Sequence, residues 1–244
     1  MEHLIEQTIA FVKNTLATAE AGHDWFHIDR VYKNALKINE HENGNILVVS
    51  LAALLHDIAD SKFHHGDEEI GPRVAGEFLT AMSVDQEVIS HVQHIIKNLS
   101  FKASLGTVEF SSKELDIVQD ADRLDAIGAV GIARAFTYGG YKNRVLYDPE
   151  ILPAYQQTKE QYKNSVAPTI NHFYEKLLLL KDLMKTQTGA DMAQKRHEFM
   201  LAYLAQFFEE AGQLCWFCRG SQAHNCCLFF SFHCPALSAV LFLF

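Results

Sequence analysis

The chain of 244 residues sets a histidine beside an aspartate, His56-Asp57, at the end of the apolar run Leu47-Val-Val-Ser-Leu-Ala-Ala-Leu-Leu. An imidazole and a carboxylate are both ligands for a divalent cation of intermediate hardness. Leu47, Leu51, Leu54, Leu55 and Ile58 recur at three- and four-residue steps, and Ala52 and Ala53 let a neighbour pack close. The run therefore reads as a helix buried around nearly its whole circumference. A lone carboxylate at the edge of such a core costs several kcal/mol, on the order of a domain's net stability, so Asp57 is expected to meet a cation or a dense set of donors. The simpler alternative is that His56 and Asp57 cap a helix end and bond locally; a dipeptide by itself does not separate the two.

A second carboxylate poses the same problem. In Leu115-Asp-Ile-Val-Gln-Asp-Ala-Asp-Arg-Leu-Asp125, the residues Leu115, Val118, Asp122 and Asp125 fall along one side of a helix, so Asp122 is in line with apolar positions. One metal ion would satisfy both Asp57 and Asp122. His23 and His27 stand four apart, and His27 leads a helix through Val31, Ala35, Leu36 and Ile38, with capping or packing as the competing role for either imidazole. His91 and His94, three apart, share a face of a later helix. The polar stretch 60–66 carries Lys62, either a phosphate contact or a solvated loop residue. Arg134 is a candidate anion clamp, and Tyr138-Gly-Gly-Tyr-Lys142 reads as a polar loop from which Lys142 and Arg144 could close over a phosphate.

The elements that must position these groups are helical. Residues 2–21 alternate apolar and charged positions at helical spacing, Asn43-Gly-Asn45 marks a turn, and Asp67-Glu-Glu and Ser111-Ser-Lys-Glu open further helices, the latter as a capping box. Beyond Pro149 helices continue, with 168–185 and 191–212 expected as an antiparallel pair linked by Thr188-Gly189. Thr107-Val-Glu-Phe110 is the one candidate strand. The fold class is accordingly all-α: a single compact domain over 1–213, with a metal-site core at about 20–145 and additional helices over 150–212. Residues 214–244 hold one charged side chain, Arg219, and all five cysteines, and read as a disordered or non-native tail. The net charge of −9 and the lack of a basic run argue against a nucleic-acid partner. No membrane span is expected in 1–213, and the acidic, amphipathic start with no cysteine before residue 215 points to the cytoplasm.

Three motifs in order, His23-Asp-Trp-Phe-His-Ile-Asp-Arg-Val31, Ala53-Leu-Leu-His-Asp-Ile-Ala-Asp60 and Asp120-Ala-Asp-Arg-Leu-Asp-Ala-Ile-Gly128, resemble the HD superfamily of metal-dependent phosphohydrolases, in particular its small bacterial members, some of them nucleotide pyrophosphohydrolases. The resemblance implies a helical HD-domain bundle in which His27, His56, Asp57 and Asp122 hold one divalent ion. Mn²⁺ is the first expectation, with Fe²⁺, Co²⁺, Ni²⁺, Zn²⁺ or Mg²⁺ as alternatives. It implies a phosphohydrolase that cuts a nucleotide phosphate ester or phosphoanhydride with a metal-activated water, as a triphosphate pyrophosphohydrolase or a nucleotidase would. Asp60, Glu68 and His94 are the candidate proton acceptors, and Lys62, Arg134, Lys142 and His23 the candidate phosphate contacts. A second metal would call on His91 or His94, but no histidine between His94 and Asp122 completes such a site, which favours one ion. The partner is then a small nucleotide or phosphate ester, and a homodimer is compatible with the sequence. The alternative is a catalytically silent module that senses a nucleotide.

Overall fold

The computed structural model describes residues 1–17, 24–59, 67, 69–99, 110–154 and 166–212. His23, Asp60, Lys62, Glu68, the candidate strand at 107–109 and the tail lie outside the described residues. Among the described residues seven helices come first: α1 (Glu2–Thr15), α2 (Trp25–Glu42), α3 (Ile46–Leu55), α4 (Ile70–Ala81), α5 (Gln86–Asn98), α6 (Lys113–Asp125) and α7 (Gly128–Tyr141). A short α8 (Asn171–Glu175), a 3₁₀ segment (Leu177–Leu183) and the long α9 (Gln187–Glu210) follow. Among the described residues there is no strand, and no helix is long and apolar enough to cross a membrane. Met1–Glu198 forms one compact unit and Phe199–Phe244 a second, the division falling inside α9.

The apolar α3 is the centre of the first unit. It packs against α1, α2, α5 and α6, which is why its sequence has no polar face. Val49, Leu51, Ala52, Ala53, Leu54 and Leu55 are fully buried. Its entry is fixed by Asn43, in the left-handed region at φ 56°, and by Asn45, whose side chain caps the helix by accepting from the Leu47 and Val48 amides. Its exit is abrupt: α3 stops at Leu55, and His56 and Asp57 follow in a turn. On either side of α3, α2 packs against α6, and α4 against α5.

Local chemistry shifts several expected boundaries. The cap of α6 is Ser112, which accepts from the Leu115 amide, so the expected capping box is replaced by a simple cap. The Glu114 carboxylate instead accepts from the Asn45 amide at 2.8 Å, tying α6 to the start of α3. Tyr138 to Tyr141 is the last turn of α7 and not a loop. The expected 168–185 helix is broken at Lys176, whose backbone leaves the helical region, and continues as the 3₁₀ turn that buries Leu177, Leu178 and Leu180. Thr188 and Gly189, expected as a linker, lie inside the first turn of α9.

That last correction has a physical cause in Asp120. Its buried carboxylate accepts from the Lys185 and Thr186 amides and from the Thr186 hydroxyl, at 2.8–2.9 Å. The Thr186 hydroxyl oxygen in turn accepts from the Gly189 amide at 2.9 Å, starting α9 there. A side chain on Gly189 would collide with the Asp120 carboxylate. Asp120→Ala strands these donors, so we expect a loss of about 2–4 kcal/mol in unfolding free energy, read from the midpoint of chemical denaturation.

His172, on α8, sets a pH prediction. Burial, with Lys176 and Arg144 nearby, pushes its imidazole down to about 3. The folded state thus resists a proton that the unfolded chain accepts near pH 6.5, and stability present above that pH falls as the pH drops towards 3. His172→Gln should flatten this acid limb in thermal melts between pH 6.5 and 4.

Candidate metal centre

Helices α2, α3 and α6 bring the predicted groups together. Asp24 caps α2 by accepting from the His27 amide at 2.9 Å, which fixes the first turn and the start of the His27 side chain. The His27 ring is buried, and its Nδ1 lies 2.8 Å from Asp125 Oδ2. The His56 ring, at the end of α3, sets its Nδ1 2.9 Å from the Ala53 carbonyl oxygen. In both cases the acceptor places the ring proton on Nδ1 and leaves the Nε2 lone pair for another use.

Those two lone pairs converge on a carboxylate. Asp122 Oδ1 stands 3.6 Å from His27 Nε2 and 3.8 Å from His56 Nε2. Asp57 joins them: His27, His56 and Asp57 each offer a ligand atom within 4.8 Å of the others. His56 Nε2 is buried and has no hydrogen-bond partner. His56 Nε2 and the Asp122 carboxylate oxygen repel with no donor on the histidine atom to join them, and an unsatisfied buried acceptor costs about 1–3 kcal/mol. A cation at their centre removes both penalties, so the donor set fits a divalent metal.

A layer that the sequence did not reveal supports His27. Asp125 is buried at the end of α6 and is gripped by Arg30, whose Nε donates to Oδ1 at 2.6 Å and whose Nη2 donates to Oδ2 at 3.0 Å. Arg134 Nη1 also donates to Asp125 Oδ2 and, at 3.2 Å, to its backbone carbonyl. Burial drives the Asp125 carboxyl upwards, but the bonds from His27 and Arg30 and the charge of Arg134 outweigh it and hold the group well below the usual carboxylate range. Arg30 lies three residues beyond His27 on the same helix face, the one sequence signal for this layer. Arg196 closes the back of the assembly, donating to the Leu124 carbonyl and, at 3.1 Å, to Asn34 Oδ1. Gly128, at φ 77°, makes the tight turn from α6 into α7 with Arg196 packed against it.

Other candidates fall elsewhere. His94 Nδ1 is 2.7 Å from the Ser90 carbonyl oxygen, and its ring stacks on Phe110 at 5.1 Å. His91 Nε2 is 3.0 Å from Ser112 Oγ and 3.6 Å from Glu114 Oε2. Lys142 Nζ lies over the rings of Tyr138 and Tyr141. Arg134 thus sits at the metal cluster, through Asp125, while His94 and Lys142 make their contacts with other groups.

Comparison with known proteins gives the class. The HD domain family matches residues 25–127. The YpgQ protein of Bacillus subtilis is 39% identical over 203 residues, covering 82% of this chain and 90% of that one. A crystal structure of an HD-superfamily hydrolase from Bacillus thuringiensis superposes with TM-score 0.69 at 43% identity, over 87% of this chain and 99% of its own. The B. subtilis YpgQ structure in complex with ADP superposes with TM-score 0.65 at 35% identity, over 84% of this chain and 97% of its own. The chain belongs to the HD-domain superfamily. HD domains bind divalent metals, and His27, His56 and Asp57 are the cluster that brings such ligands together among the described residues.

The Asp125 layer has a measurable effect. Asp125→Asn keeps the side-chain size but removes the charge that orients His27 and engages two arginines. We expect Mn²⁺ affinity to fall about 10- to 100-fold in calorimetric titration, as is typical when a group supporting a ligand is altered.

Proposed function

We propose that this protein is a metal-dependent phosphohydrolase that cleaves a phosphate ester or phosphoanhydride bond of a nucleotide. The observation that carries the reading is the buried, unpartnered His56 Nε2 facing the Asp122 carboxylate beside His27 and Asp57. His27, His56, Asp57 and Asp122 are the proposed ligands of one ion, Mn²⁺ in the first instance and Fe²⁺, Co²⁺, Ni²⁺, Zn²⁺ or Mg²⁺ otherwise. Bound there, such an ion would supply Lewis acidity for a water nucleophile and for the charge gathering on phosphorus.

The chain's own residues do the rest. Asp125, held by Arg30 and Arg134, keeps the His27 ring in the tautomer and orientation that present Nε2. Asp122 is the open edge of the site, with 39% of its side chain exposed against 3% for His27 and 4% for His56, so substrate enters on the Asp122 side. Charge decides which substrates are drawn in. Asp57, Asp122 and Asp125 against Arg30 and Arg134 leave one negative charge, which a divalent cation converts to one positive charge. An otherwise acidic chain thus has a local attraction for a phosphorylated substrate. The ADP held by the related B. subtilis protein supports a nucleotide. Asp60 and Glu68 are the preferred acceptors for the water's proton, because His94 is engaged by Ser90 and Phe110.

The test is turnover. Mn²⁺-loaded protein incubated with nucleoside mono-, di- and triphosphates should release phosphate or pyrophosphate, and Asp57→Ala should reduce release to background. A protein with full metal occupancy that binds nucleotides but cuts none would overturn the enzyme reading in favour of a sensing module.

A further inference from the structure

Arg196 stands on α9, in the part that belongs to the first unit and outside the span matched by the HD domain family, yet its side chain reaches two ligand-bearing helices. Nη1 donates to the Leu124 carbonyl near the end of α6, and Nη2 donates to Asn34 Oδ1 on α2 at 3.1 Å. Asn34 Nδ2 donates in turn to the Ala121 carbonyl of α6 at 3.5 Å. The residues touched sit beside the metal centre in the chain: Ala121 precedes Asp122, Leu124 precedes Asp125, and Asn34 lies seven residues after His27, on the same face of α2. The stem of Arg196 is seated as well, its Cβ and Cγ 3.0 Å from where a side chain on Gly128 would begin.

Holding α9 to the core does not require this arginine. Arg123 already donates to the Leu183 carbonyl, Asp120 accepts from the Lys185 and Thr186 amides, and Glu42 accepts from the Thr188 amide and hydroxyl at 3.0 and 2.8 Å. Both acceptors of Arg196 are neutral, so the bridge gains no ion pair, and burial pushes the guanidinium below its ordinary value against the charge of Asp125. What a guanidinium adds is a rigid planar fork whose nitrogens stand a fixed distance apart, where a lysine would place one charge on a flexible stem. One arm on α6 and the other on α2 therefore fix the separation of the two helices.

Resting on the metal-ligand reading above, we infer that Arg196 is a positioning residue: it gauges the gap between α2 and α6 and so sets how far His27 Nε2 stands from the Asp122 carboxylate, 3.6 Å in this structure. Its action is carried to α2 by Asn34 and to the last turn of α6 by the Leu124 carbonyl. Groups that share a ligand have to be held to within about 0.5 Å of their working positions, so a gap set too wide loosens the hold on an ion while the helices stay packed.

The experiment titrates Mn²⁺ calorimetrically into the full chain and reads the unfolding midpoint of each variant in parallel. Arg196→Lys keeps the charge and the stem but loses the fork, and Asn34→Ala removes the α2 arm while leaving Arg196 its Leu124 carbonyl. Each should weaken Mn²⁺ binding about 10-fold, the low end of the cost of altering a group behind a metal ligand. Because both cut one bridge, the double variant should bind no more weakly than either single one. Glu42→Ala cuts a tie between α2 and α9 that lies about 22 Å along the axis from His27, so it should lower the midpoint and leave Mn²⁺ affinity unchanged. Unchanged affinity in Arg196→Lys, or in Asn34→Ala should Arg196→Lys fail to fold, would overturn the gauge and leave the metal-ligand reading standing. Losses that add in the double variant, or a loss in Glu42→Ala as large as that in Arg196→Lys, would do the same. A wild type that takes up no divalent ion would remove the metal-ligand reading, and the gauge with it.

Discussion

His27, His56 and Asp57 gather at the junction of α2, α3 and α6 with Asp122 beside the two rings, and the buried His56 Nε2 has no hydrogen-bond partner. Left to themselves, the His56 Nε2 lone pair and the Asp122 carboxylate oxygen, 3.8 Å apart, push apart. The fold opposes that repulsion with packing. The all-round apolar α3 is locked among four neighbours, and the His56 ring at its end cannot swing away without opening the core. A divalent cation bound there would turn the same geometry from a penalty into a bond set and so link metal occupancy to stability.

The charge arrangement has a second layer that balances the first. Asp125 is the deepest carboxylate of the centre, and two guanidiniums and an imidazole are aimed at it. Removing a charge from such a cluster is costly because the others remain, so these side chains act as a unit. The outcome is a histidine held in one tautomer by a carboxylate that is itself held ionised. Two arginines far apart in the chain, Arg30 one turn beyond His27 and Arg134 beyond Asp125, thereby orient the same ring through one carboxylate.

The sequence displayed the proposed ligands more clearly than their supports. His56-Asp57 at the end of an apolar run and Asp122 in line with apolar positions stand out by spacing, while His27, with capping or packing as its competing role, joins them through the resemblance. Asp125 was visible on the same row, yet its partners Arg30 and Arg134 are 95 and 9 residues away, and no periodicity reports a pairing across helices. Asp120 was hidden for the same reason: it holds the segment that starts α9, from Lys185, 65 residues further on. The helical class and the central burial of α3 were legible, because an apolar run without a polar side has to be surrounded. The ends of α7 and α8 were not. Gly139-Gly140 looked like a break and is carried through by the turns before it, whereas the leucine-rich 177–180 looked like continuous helix and is tightened into a 3₁₀ turn by the backbone at Lys176.

Helix α6 assigns three of its carboxylates to three destinations within six residues: Asp120 to the beginning of α9, Asp122 to the metal cluster and Asp125 to the arginines. A helix turns by about 100° per residue, so one inserted or deleted residue in this stretch would redirect every acid beyond it. An insertion or deletion within that segment would therefore break the three assignments at once. Drift in α6 can proceed only by exchange of side chains, never by change of register.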